Sequence, residues 1–256
     1  MSVSVFPIKA FNDNYIWCLS NQSQCVVVDP GDAAPVLEYC QNNQLTLTAI
    51  LITHHHWDHT NGVDALLTRF PNIPVYGPQN KTIQQITDRL SEDDEIELAD
   101  LGVKFSVIEV PGHTLDHIAY YGDLGLFCGD TLFSAGCGRL FEGSPQQMFE
   151  SLAKLTALPA NTAVYCTHEY TMANIAFAEA AEPNNQALIS YKHWAMQQRD
   201  QNNPTLPSSI QNELAVNPFL RCHSQELVTN VSQNMGTILK SEQDIFASLR
   251  SWKDNF

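Results

Sequence analysis

The chain has 256 residues, 44% of them hydrophobic and 16% charged, and a formal net charge of -15. That length and balance allow a sizeable buried core, in one large domain or a main domain with a smaller partner, and argue against disorder. The acidic excess speaks against nucleic-acid binding, which needs clustered Lys and Arg, but a few local bases can still hold a small anionic ligand.

The stretch Met1 to Lys9 has no basic run followed by an apolar core, so no leader is expected. No segment reaches the roughly 18 uninterrupted apolar residues of a membrane helix. The seven cysteines (Cys18, Cys25, Cys40, Cys128, Cys137, Cys166 and Cys222) are odd in number and form no Cys-x-x-Cys pair. Free thiols in a reducing compartment are the expectation, with the cytoplasm as the default location.

In chain order, Gln24 to Asp29 and Leu47 to Ile52 read as buried β-rich strands, with a helix between them over Ala34 to Gln41. A helix is expected to open within Asn61 to Leu67. Further strands are predicted at Val103 to Val110, Ile118 to Tyr121, Leu126 to Cys128 and Ala163 to Cys166. Ser144-Pro145-Gln146-Gln147 has the cap, first-turn proline and third-position glutamine of a helix start. After about Tyr170 strand-like runs disappear and helices are predicted over Thr171 to Ala181, Gln186 to Arg199 and Ser241 to Trp252. This places a boundary between residues 1–170 and a helical region, 171–256.

The chemistry concentrates in Thr53-His54-His55-His56-Trp57-Asp58-His59, directly after a buried strand. In an extended segment His54 and His56 project to the same side, where both can reach one ion, and Asp58 and His59 suit a second ion beside it. Neutral imidazole nitrogen and carboxylate oxygen are ligands for zinc and similar divalent metals. An accidental polar turn would leave this much imidazole and carboxylate costly and unexplained. Later strands end in His113, Asp130 and His168, each a weak signal alone and a strong one in this order.

These residues resemble the metallo-β-lactamase superfamily, whose pattern is His-x-His-x-Asp-His followed by a His, a bridging Asp and a last His. Val28-Asp29-Pro30-Gly31-Asp32 is similar to its early Asp turn. The resemblance implies an α/β fold, a four-layered αββα sandwich with a C-terminal helical domain here, and two divalent ions, zinc first with iron or manganese as alternatives. His54, His56 and His113 would hold one ion, Asp58, His59 and His168 the other, and Asp130 would bridge them. Five neutral histidines, two carboxylates and a bridging hydroxide would leave a formal charge of about +1, welcoming to an anionic substrate. Asp58 would orient the second metal and the hydroxide.

Within the superfamily, Cys128 to Phe133 running into Gly136 to Gly143, Thr167 to Thr171, Asn217 to Arg221 and the terminal Arg250 to Phe256 resemble the hydroxyacylglutathione hydrolases, also called glyoxalase II. The resemblance implies hydrolysis of S-(R)-lactoylglutathione to glutathione and D-lactate in methylglyoxal detoxification, by a cytoplasmic monomer. It assigns the glutathione thioester to Arg139, Tyr170, Arg250 and Lys253, whose chemistry suits its carboxylates and peptide. A glutathione-persulfide dioxygenase with a single iron is the alternative. Arg139 and Phe141 stand where some members have Lys and Tyr, and Asp116 where Gly is expected. His55 should point away from its neighbours, His117 should be a core or supporting group, Cys137 is a poor nucleophile without a base, and His193 and His223 should be structural or surface groups.

Overall fold

The computed structural model describes residues 3–256. Met1 and Ser2, the first residues of the stretch that showed no leader pattern, lie outside them. The chain forms two compact units. One runs to Glu109 and takes in Asp116–Gly129, and the other comprises Val110–Leu115 and Asp130–Phe256.

The first unit opens with β1 (Ser4–Ala10), β2 (Asn14–Ser20) and β3 (Gln24–Val28), followed by α1 (Ala33–Asn43) and β4 (Thr46–Leu51). The short α2 (Trp57–Thr60) and α3 (Val63–Arg69) precede β5 (Val75–Pro78) and β6 (Asp88–Leu90). These strands make one sheet in sequential order, antiparallel from β1 to β3 and parallel from β3 to β6. The parallel pair β3 and β4 is joined through α1, the crossover that such pairing requires. Asp32 caps α1 by accepting from the Ala34 N–H at 2.9 Å. Val27, Ile50 and Val75 from the sheet pack with Val36 of α1 and Leu66 of α3 in one buried cluster.

The same unit then runs through β7 (Glu95–Leu98), β8 (Val103–Glu109), β9 (Ile118–Gly122) and β10 (Gly125–Gly129), each antiparallel to the next. Phe105 and Phe127 meet edge to face in its interior, ring centroids 5.7 Å apart.

The second unit holds the small hairpin β11 (Leu132–Phe133) and β12 (Gly136–Cys137), then α4 (Pro145–Thr156) and β13 (Ala163–Cys166). Ser144 and Gln147 close the full capping box that their spacing predicts. Helices α5 (Thr171–Ala181) and α6 (Gln186–Asp200) follow, then β14 (Ser208–Ser209), α7 (Ile210–Val216), a 3-10 turn at Pro218–Leu220, α8 (Gln225–Met235) and α9 (Glu242–Asp254). The expectation that strands cease after Tyr170 fails at β14, which pairs antiparallel with β13. Two serines carry no hydrophobic pattern, so nothing in the sequence marks that strand. Ile175, Ala178, Leu188 and Val216 form the core beneath the helices. Among the described residues no helix is long and apolar enough to cross a membrane.

Candidate metal centre

Two sets of imidazole and carboxylate groups stand out, one in each unit. In the first unit, parallel pairing brings the C-terminal ends of β3 and β4 to one edge of the sheet, where such folds place ligand sites. Asp29 follows β3 in a left-handed conformation (φ 54°) and is buried. Its Oδ1 accepts the Thr53 N–H at 2.7 Å and its Oδ2 accepts the Thr53 hydroxyl at 2.7 Å. Its Oδ2 also lies 3.0 Å from His59 Nδ1.

These contacts orient the imidazoles. His59 turns Nδ1 towards the Asp29 carboxylate, which places its Nε2 on the other side of the ring, towards Asp58. Because the Thr53 proton goes to Asp29, Thr53 Oγ1 accepts from His54 Nδ1 at 3.1 Å, which leaves His54 Nε2 as a lone pair. His54 Nε2 and His56 Nδ1 lie 3.0 Å apart, near the roughly 3.3 Å spacing of two nitrogens on one tetrahedral ion. His59 Nε2 faces Asp58 Oδ2 at 3.6 Å, and Asn14 Nδ2 donates to that same oxygen at 3.0 Å. Gly31 lets the Asp turn press against this loop, since a Cβ there would lie 1.8 Å from the Asp58 carbonyl oxygen.

His55 turns to Asp116, with Nδ1 2.9 Å from its Oδ1, and Asn80 Nδ2 donates to Asp116 Oδ2 at 2.8 Å. Asp116, which stands where glycine is expected, thus holds His55. His117 donates from Nδ1 to the Ile118 carbonyl at 3.1 Å and stacks on the His54 ring at 4.5 Å.

In the second unit Asp130 gathers His113 and His168, whose Nε2 atoms lie 3.5 and 3.2 Å from Asp130 Oδ2. All three residues are buried. His113 Nδ1 donates to the Arg139 carbonyl at 2.7 Å, which again leaves Nε2 as a lone pair facing a carboxylate oxygen. The His168 ring lies flat on Tyr170, centroids 4.6 Å apart, and Phe133 meets both rings edge-on. An imidazole lone pair held against a carboxylate oxygen is repulsive until a cation lies between them. His113 with Asp130 presents that arrangement, and His59 stands between the Asp29 and Asp58 carboxylates, so the donor sets fit divalent metal.

The same unit carries the four candidate substrate residues. Arg250 is 5% exposed. It donates from Nη1 to the Cys137 carbonyl at 3.1 Å and from Nη2 to Asp254 at 2.9 Å. Lys253 Nζ donates to Asn174 Oδ1 and lies over the Phe177 and Phe219 rings. Burial pushes the Lys253 ammonium down to about 8, against the pull of Asp254. Neither is the solvated helix end that basic residues at a C-terminus often make. Arg139 reaches into solvent, 3.8 Å from Asp254, and Tyr170 is partly exposed. Cys137 is buried with its thiol pushed up, an inert group. His193 and His223 are exposed.

Asn14, Thr53, Asn174 and Glu213 support these groups and were not singled out from the sequence. Their partners are distant in the chain, 44 residues for Asn14 with Asp58 and 78 for Glu213 with Ala135.

Residues 12–168 match the family model of the metallo-β-lactamase superfamily, and residues 169–256 match that of the hydroxyacylglutathione hydrolase C-terminus. The hydroxyacylglutathione hydrolase of Nitrosomonas eutropha is 50% identical over 254 residues, 99% of this chain and 99% of that protein. The hydroxyacylglutathione hydrolase of Vibrio campbellii is 51% identical over 255 residues, 99% of this chain and 100% of that one. Among solved structures, ETHE1 from Myxococcus xanthus superposes with a TM-score of 0.65 at 24% identity, covering 99% of this chain and 98% of its own. The B3 metallo-β-lactamase BLEG-1 gives a TM-score of 0.62 at 25% identity, over 86% of this chain and 99% of its own. The α/β fold of the metallo-β-lactamases with a C-terminal helical region is therefore established. The chain belongs to the metallo-β-lactamase superfamily and, within it, to the hydroxyacylglutathione hydrolase family.

Proposed function

We propose that this protein hydrolyses S-(R)-lactoylglutathione and similar hydroxyacylglutathiones to glutathione and the 2-hydroxy acid, at a centre of two divalent ions. Family membership supports the reaction, and the observation that carries the site is the His113 imidazole, whose Nδ1 is spent on the Arg139 carbonyl while Nε2 faces Asp130, together with the His54 and His56 nitrogens held 3.0 Å apart. His54, His56 and His113 would hold one ion, Asp58, His59 and His168 the other, with Asp130 shared. Zinc suits this donor set, as do iron and manganese. Residues 1–170 would form the catalytic domain and residues 171–256 the helical substrate-binding domain of a cytoplasmic monomer.

Bound there, the ions would supply Lewis acidity and lower the pKa of water to about 7, giving a nucleophile at neutral pH. The Asp29 carboxylate stands against His59 Nδ1, and Asn14 donates to the Asp58 carboxylate, which would orient the nucleophile. A thiol leaving group with a pKa of about 8.5 departs without a strong general acid. Arg139, Arg250 and Lys253 would pair with the glutathione carboxylates and Tyr170 with its peptide.

The direct test is a steady-state assay on lactoylglutathione beside another glutathione thioester, with metal measured on the same sample. Chelation is expected to abolish turnover and added zinc to restore it. Undiminished thioester cleavage by metal-free protein would overturn the reading, and one iron with oxygen uptake would favour the persulfide dioxygenase.

Lys253 gives a pH signature. Its charge is lost as pH rises through about 8, so the KM for lactoylglutathione is expected to climb above that pH. In Lys253→Arg the KM should stay flat, since arginine remains charged. Stability should move the other way. The folded value of about 8 lies below the ordinary 10.5, so the unfolded chain binds more protons between them and stability rises with pH across that window. A KM independent of pH in the parent would remove Lys253 from the binding role.

A further inference from the structure

The turn between β11 and β12 is held almost wholly by side chains from distant helices of its own unit. Asn217 Nδ2 donates to the Phe133 carbonyl at 3.1 Å and to the Gly136 carbonyl at 2.9 Å. Asn174 Nδ2 donates to the Ser134 carbonyl at 2.9 Å, and the Ala135 N–H donates to Glu213 Oε2 at 2.8 Å. Ala135 is left-handed (φ 53°), a conformation that costs a non-glycine residue energy and persists only where its surroundings hold it.

Glu213 is itself unusual. It is fully buried, and its partners are all neutral: the Ala135 N–H, the Ser208 hydroxyl, and the side-chain amides of Asn212 and Asn217. Burial raises its pKa against the pull of those donors. A buried carboxyl with no cationic partner is a costly way to hold a loop, which points to a requirement that the loop be held in one place.

The turn is also what the two C-terminal cations rest on. Arg250 donates to the Cys137 carbonyl, and Lys253 donates to Asn174, whose amide in turn grips Ser134. A Cβ at Gly136 would lie 2.6 Å from the Asn174 side chain, so the turn and Asn174 are in direct contact. Phe133 meets the Tyr170 ring edge-on. We propose that Glu213 and Asn217 are positioning residues for substrate binding, fixing the β11–β12 turn so that Arg250, Lys253 and Tyr170 stand where they receive the glutathione end of the substrate. This rests on the reading above that these residues bind glutathione.

The test compares Glu213→Gln and Asn217→Ser with the parent on two substrates: lactoylglutathione, and the lactoyl thioester of N-acetylcysteamine, which lacks the γ-glutamyl and glycine carboxylates. Glu213→Gln keeps the shape and one acceptor and leaves no cavity, so it is expected to fold, and thermal melting with metal content verifies each variant. KM for lactoylglutathione is expected to rise on the order of three- to tenfold, the effect of one buried hydrogen bond, with kcat little changed. Activity on the short thioester should stay within about twofold of the parent, and the midpoint of the Lys253-dependent rise in KM should move to higher pH as its packing loosens. An unchanged KM for lactoylglutathione in both folded variants would overturn the positioning role alone. Equal losses on both substrates, or loss of metal, would overturn it in favour of a general structural role. A parent that handles both thioesters alike would defeat the assignment of Arg250 and Lys253 to glutathione, and this proposal with it.

Discussion

Asp130→Asn is expected to lower kcat/KM for lactoylglutathione by about a thousandfold or more and to leave the purified protein short of metal. One oxygen of Asp130 faces both His113 and His168, at 3.5 and 3.2 Å. The amide can offer only one acceptor oxygen and no charge, so His113 and His168 lose the anion that would share a cation with them. Charge stabilisation by metal at a reacting carbonyl amounts to several kcal/mol, and each 1.36 kcal/mol is a factor of about ten in rate. The buried, close-packed surroundings of Asp130 should keep the variant folded, as thermal melting can establish. A variant with full metal and activity within about tenfold of the parent would remove Asp130 from the centre.

Asp29→Asn is the next largest effect and a sharper probe, because it touches no proposed ligand atom. Asparagine tolerates the left-handed backbone at this position, so the turn after β3 should survive. The substitution instead replaces one carboxylate oxygen with a donor among groups that already donate, the Thr53 N–H and the Thr53 hydroxyl, and removes the negative charge 3.0 Å from His59 Nδ1. His59 then loses the anion it stands against, and Thr53 can no longer serve His54 in the same way. Groups of this kind typically cost about 10- to 100-fold in metal affinity or activity when altered. The expected result is a weaker metal affinity by that factor, measured by competition with a chromophoric chelator, and activity that recovers in excess metal. An affinity equal to the parent's would show that the Asp29 contacts do not orient the ligands.

The legible part of this molecule was the part written contiguously. His54 to His59 follow a β-rich run and carry their own ligand chemistry, and Ser144 to Gln147 form a local cap, so short-range pattern suffices for both. Asp29 was marked only as a turn; that its carboxylate meets Thr53 and His59 depends on a strand pairing between β3 and β4 that no local pattern prints. Asn14 carries no signal of its own in the sequence, yet its amide reaches Asp58, 44 residues away. Glu213 sits on a helix where an acid is ordinarily a solvated face, and only the packed fold shows it buried. The cations of α9 carried a resemblance but no geometry: their burial against Cys137 and Asn174 comes from long-range packing.

The grip of the C-terminal helices on the β11–β12 turn also bears on the order in which the protein can be made. Asp130 and the turn just after it are synthesised well before α7 and α9, so the acceptor for Ala135, the donor to Phe133 and Gly136, and the guanidinium on Cys137 are all missing while the nascent chain holds only the first two thirds of its length. Until they are made, the turn lacks the contacts that hold it in the folded chain. The turn is therefore expected to take its final geometry only after α7 and α9 have been made, long after its own residues.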